Sequence, residues 1–224
     1  MKTNKMMRLA SSLLVAVLLT TCIISGTYAK YVTSSTGNDI ARVAKFGVEI
    51  TANGSMFAKE YDTDDENVKG TIAKSVVSSN DEKVVAPGTS GNMVSMTLTG
   101  KPEVAVEVTY DIENFNLGNW ALDDGTFYCP LIISVNGKDF DGSHYTDAQG
   151  FIDAITNEIK NYSKNYEANT DLTKIKKDSL NIGWQWPFSK DDNDVKDTYL
   201  GNQAANGNAA TIELEIKTTV TQID

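Results

Sequence analysis

Histidine and cysteine are almost missing from these 224 residues, which hold one histidine, His144, and two cysteines, Cys22 and Cys129. A single histidine excludes a zinc hydrolase of the HExxH kind, which needs a histidine pair to hold its metal. A Ser-His-Asp site needs only one histidine. Yet no serine sits in a nucleophile-elbow pattern, and His144 lies in a Gly-Ser-His-Tyr turn that reads as structural. Glycine-rich phosphate loops are absent too. Basic charge is short: 20 Lys and Arg stand against 30 Asp and Glu, a formal net charge of −10. That balance excludes nucleic acid and anionic lipid, both of which are bound through basic patches. No residue set points to catalysis, and the chain does not read as an enzyme.

At the amino terminus, Lys2, Lys5 and Arg8 precede a mostly apolar run from Leu9 to Ile24, which Gly26-Thr27-Tyr28-Ala29 then breaks. A basic start, an apolar middle and small residues at Thr27 and Ala29 are the parts of a secretory signal peptide cleaved between Ala29 and Lys30. A retained anchor is one rival, but the unbroken apolar stretch falls short of the roughly 20 residues a helix needs to cross a bilayer. A lipoprotein is another, through Leu19-Thr20-Thr21-Cys22, although Thr21 fits a lipobox poorly. Loss of residues 1–29 leaves about 195 residues, one domain with room for a core, and moves the net charge to about −13. It also leaves Cys129 as the one cysteine. No internal disulfide can form, and a lone thiol between Tyr128 and Pro130 reads as a small buried hydrophobe. The expected organisation is a signal peptide over 1–29, an amino-terminal segment over 30–41 and one domain over 42–224, exported and without a transmembrane anchor.

Period two dominates the domain. Ala44, Phe46, Val48 and Ile50 alternate with polar or small residues, as a half-buried strand does. Val94, Met96 and Leu98 repeat the pattern, and so do Val104, Val106, Val108, Tyr110 and Ile112. With Gly100-Lys101-Pro102 between them, these two runs are either a hairpin or neighbouring strands passing between sheets. Leu131 to Val135 is a more continuous apolar strand ended by the turn dipeptide Asn136-Gly137. Leu180, Ile182, Trp184 and Trp186 form a further set, and Ile212, Leu214, Ile216, Thr218 and Val220 the longest. Six or more alternating strands predict a two-sheet sandwich. One segment breaks the period: Phe151, Ile155, Ile159 and Tyr162 make the stripe of an amphipathic helix over about 147–166, with Thr146 and Gln149 in a capping-box pattern. It is inserted on the sandwich with its polar face in solvent.

The polar stretches Glu60 to Lys69 and Ser189 to Asp197 read as exposed loops. They hold the only ligand chemistry of note. Asp62, Asp64 and Glu66 alternate, Asp191, Asp192 and Asp194 crowd together before Asp197, and Asp139 and Asp141 precede Gly142. Calcium takes several oxygen ligands from a flexible loop, which makes it the candidate cofactor; no cluster keeps the EF-hand spacing, and the plain alternative is solubilising charge.

Gly26-Thr27-Tyr28-Ala29, the strand from Ala41 to Val48, and Val85-Ala86-Pro87-Gly88 leading into Val94 to Leu98 resemble the TasA and camelysin family of Gram-positive bacteria. The likeness in detail covers the leader, the first strand and the Pro-Gly entry to a later strand. The carboxy-terminal half, with Gly183 to Phe188, matches in architecture. The resemblance implies an all-β, jelly-roll-like sandwich, maturation by a SipW-type signal peptidase, and a secreted, extracellular place at the cell surface or in the biofilm matrix as a fibre component. The partners it implies are further copies of the chain, the signal peptidase and accessory fibre proteins. Camelysin-like members are classed as metallopeptidases, but this chain lacks the histidines for such chemistry, and that activity is not carried over.

After cleavage the terminus would be Lys30-Tyr31-Val32-Thr33-Ser34-Ser35, a short β-prone segment with no local partner. Such a strand adds to a sheet edge, its own or a neighbour's. Entering a neighbour's sandwich head to tail, it would build an open filament; the plain alternative is a frayed terminus. A function of another class also stays open, a monomeric cell-surface module for carbohydrate or another ligand with Trp120, Trp184 and Trp186 as stacking platforms. Trp184 and Trp186 share strand parity with Leu180 and Ile182, which favours the core for both.

Overall fold

A computed structural model describes residues 42–52, 55–63, 70–175, 180–190 and 193–223. Residues 46–224 form one compact unit; of the unit before it, only 42–45 are described. The described elements are β1 (Val48–Ala52), β2 (Glu60–Asp62), β3 (Lys74–Val77), β4 (Thr89–Gly100), β5 (Val106–Gly118), β6 (Ile132–Val135), β7 (Lys138–Asp141), α1 (Ala148–Asn161), β8 (Lys164–Tyr166), β9 (Leu180–Trp186), α2 (Asp194–Ala205) and β10 (Thr211–Gln222). Short 3-10 turns lie at Gly142–His144 and Leu172–Lys174. Among the described residues no helix is long and apolar enough to cross a membrane.

The architecture is the expected β-sandwich with a helical insert. One sheet has the order β1-β4-β9-β6-β7 and the other β10-β5-β8, and β2 and β3 pair as a separate ribbon. Every pairing is antiparallel. β4 and β5 fall in different sheets, so Gly100-Lys101-Pro102 is a crossover and not a hairpin turn. β6 and β7 do form a tight hairpin, in which Asn136 and Gly137 both take positive φ, 48° and 85°, as a two-residue turn matched to the strand twist requires. β10 runs beside β5 from Thr211 opposite Gly118 to Gln222 opposite Val106, with a bulge that sets Glu113 and Asn114 against Glu215. The extra residue reverses parity, so the inward positions of β5 are Val106, Val108, Tyr110 and Ile112 before it, then Phe115 and Leu117.

β9 alternates as its sequence does: Leu180, Ile182, Trp184 and Trp186 are buried and Asn181 and Gln185 exposed. α1 turns Phe151, Ile155 and Ile159 into the core with no exposed surface and packs against β5, β6 and β7, so its stripe bridges the two sheets at one side. On the opposite side the Thr218 hydroxyl of β10 meets the Met96 sulfur of β4.

Four expectations are corrected. The helix ends at Asn161 and not near 166, because β5 captures Lys164–Tyr166 as a strand, Tyr166 lying opposite Val106. Its cap is Asp147, whose carboxylate accepts from Gly150 N at 2.7 Å, while Gln149 turns forward to Asp153 at 2.7 Å and leaves no capping box. The first strand begins at Val48, not Ala44: Gly47 has φ 43°, and Phe46 and Ile50 are 41% and 40% exposed, since β1 is an edge. Neither polar stretch is a simple loop, for Glu60–Asp62 pairs with β3 and Asp194 opens α2.

Candidate functional site

The three tryptophans are buried, at 3% for Trp120 and Trp184 and 5% for Trp186, which corrects the stacking-platform reading. Each ring nitrogen donates inside the protein. Trp120 Nε1 reaches the Thr211 carbonyl at 2.7 Å, Trp184 Nε1 that of Met56 at 2.6 Å, and Trp186 Nε1 the Asp197 carboxylate at 3.1 Å. These bonds fasten β10, the segment before β2 and α2 to the sandwich, and they satisfy indole N–H groups that would otherwise be buried unpaired.

The two sides of the sandwich differ. α1 closes the side flanked by β6, β7 and β5. The other is flanked by β1 and β10, each paired on one edge only among the described residues. There the apolar cover is incomplete. Ile112, Phe115 and Leu117 of β5 and Ile212, Leu214 and Ile216 of β10 touch the core yet stay only partly buried, and Ile50 of β1 is 40% exposed. Open edges with half-covered apolar residues are what an added strand would satisfy.

A second feature is a cleft of about 490 Å³ outside the sandwich, within the range of ligand pockets. Leu122, Thr126 and Phe127 from the turn after β5 form one wall, Ser143 to Thr146 another, and Asn193 and Lys196 at the start of α2 the third, with Tyr128 between them. Its frame is held from below. The Tyr128 hydroxyl donates to Asp197 at 2.6 Å; burial first, then that carboxylate, raise the phenol far above its ordinary value. Asp141 caps the 3-10 turn through the Ser143 amide at 3.1 Å and hydroxyl at 2.7 Å, and pairs with Lys190. Burial alone pushes the Asp141 carboxyl up, but Lys190 and Ser143 outweigh it and hold it below the usual carboxylate range. Tyr145 packs on Phe151 of α1, ring centroids 5.1 Å apart. No feature of the sequence announced this cleft beyond the lone His144, because its walls come from three segments that only the fold brings together.

Asp62 of the calcium candidates accepts from Lys74 at 2.7 Å, and Asp194 lies in the first turn of α2; Asp64, Glu66, Asp191 and Asp192 fall outside the described residues. Among the described residues no three acidic, histidine or cysteine side chains converge as a metal cluster. Ala29 and the assembly segment Lys30, Tyr31, Val32, Thr33, Ser34 and Ser35 also lie outside the described residues. No family model, curated protein or solved structure matches the chain.

Proposed function

We propose that the chain is a secreted structural protein whose copies join into extracellular fibres, residues 30–41 of one copy adding as a strand to the edge of the next. The observation that carries this reading is the side of the sandwich between β1 and β10, where two edges that are unpaired among the described residues border partly covered apolar residues. An added strand would take up the backbone groups of the β10 edge and cover Ile212, Leu214 and Ile216. The alternation of Tyr31 and Thr33 with Val32 and Ser34 suits such a strand, and the leader would keep the segment occupied until export. Because the donor and the accepting edge lie in different parts of the chain, the contact is heterologous and propagates. The resemblance to the TasA and camelysin proteins points the same way, towards a biofilm matrix.

The test is sedimentation with circular dichroism on the secreted protein and on a variant lacking Lys30 to Gly37. The variant is expected to stay a folded, β-rich monomer that forms no filaments, and Val32→Pro to act alike by removing a ladder donor. Filaments that form equally well without residues 30–37 would overturn the mechanism.

A further inference from the structure

We propose that the cleft between the 122–128 turn, the 143–146 segment and the start of α2 binds a carboxylated sugar unit, a uronic acid within an acidic polysaccharide. Three properties of the cleft carry this. Its ionisable lining runs against the composition of the chain: acids outnumber bases 30 to 20 overall, yet Lys196 and His144 are its charged-type liners and, among the described residues, no carboxylate lines it. Three acids beside it are held by groups of the protein, Asp197 by Tyr128 and Trp186, Asp141 by Lys190 and Ser143, and Asp124 by the Thr126 amide at 2.9 Å. His144 Nε2 stands 3.7 Å from Asp141, and its side chain is 75% exposed at the mouth of the cleft.

The walls supply the rest of a sugar site. Phe127 and Tyr145 offer ring surface for the apolar C–H face of a pyranose, the Asn193 amide lies beside them as a hydrogen-bonding group, and the Thr126 hydroxyl, which donates to Asp124, keeps its lone pairs for a sugar hydroxyl. Lys196 is already placed, its ammonium 5.2 Å from the centre of the Tyr128 ring, so an ordered cation waits beside the aromatic walls. A carboxylate beside a ring that is apolar on one face and hydroxylated at its rim matches that set. Exposure of His144 at the mouth fits one unit of a longer chain lying across the cleft. Binding of this kind requires no assembly, and the presence or absence of filaments leaves it untouched.

Isothermal titration of the purified protein at low salt with trigalacturonate tests the proposal, with its fully methyl-esterified form and pentaglutamate as comparators. Trigalacturonate is expected to bind with a Kd of about 1 mM or tighter and the neutral ester about tenfold more weakly. Lys196→Met is expected to weaken binding about tenfold and Phe127→Ala about fivefold. Asn92→Ala, on the outer face of the larger sheet, is expected to change nothing. No binding at about 10 mM, or binding unchanged in Lys196→Met and Phe127→Ala, would overturn the assignment. Tighter binding of pentaglutamate than of trigalacturonate would overturn it as well, and would assign the cleft to an acidic peptide.

Discussion

Cys129 has no exposed surface, and burial pushes its thiol up to about 12, with a backbone hydrogen bond from Leu131 pulling the other way and Asp141 adding to the rise. Gly142 completes the enclosure. A Cβ there would stand 2.5 Å from the Cys129 carbonyl oxygen and 3.0 Å from its sulfur, so only glycine lets the 3-10 turn lie against the thiol. An unfolded cysteine ionises near about 8.5. The folded thiol therefore keeps its proton through the window between the two values. Its contribution to stability is present in full below about pH 8.5 and is lost as pH rises towards about 12. At about pH 8 the native protein should leave an aromatic disulfide reagent unreacted, whereas the guanidinium-unfolded protein reacts at once. Rapid labelling of the native state, followed by absorbance, would contradict the burial. That Cys129 is buried was legible in its neighbours, Tyr128 and Pro130. The close approach of Gly142 was not, since it brings together residues thirteen positions apart in the sequence.

The two helices differ in how much the sequence discloses. α1 carries Phe151, Ile155 and Ile159 on one face, a stripe that can be read without coordinates, and all three have no exposed surface. Ile155→Ala should cost about 2–5 kcal/mol, because it removes a fully buried side chain where α1 bridges the two sheets. Val195→Ala in α2, 81% exposed, should change stability by less than about 0.5 kcal/mol. Urea denaturation of both variants measures the contrast, and equal midpoints would refute it. α2 buries Leu200 alone, so no apolar period marks it. Its attachment is polar, through Asp197 to Tyr128 and Trp186, a pairing that adjacency in sequence cannot show. Lys164–Tyr166 escaped the sequence reading for a related reason. Three residues after a helix hold too little alternation to mark a strand, and β5 offered the edge that made them one.

At the scale of the whole molecule, stability rests on packing between two sheets and a helix, with Cys129 the one cysteine beyond the expected leader. Adding a reductant to the protein lacking residues 1–29 should leave its Tm unchanged, as differential scanning calorimetry would register. A drop of several degrees would reveal a bridge between copies. The sequence by itself determined which residues of β9, α1 and much of β5 turn inward, because side-chain direction follows the backbone period whatever the partners are. It determined the β6–β7 turn as well, since Asn136-Gly137 tolerates the positive φ that joins adjacent strands. Only the tertiary structure decided which strands pair. β4 and β5 are consecutive yet belong to different sheets, β9 lies between β4 and β6, and β10 returns to β5 across most of the domain. Pairing depends on which edges remain open once the apolar faces have met. The same contest leaves one side of the sandwich closed by α1 and the other bordered by β1 and β10, an asymmetry that period-two alternation, identical on both sides, does not contain.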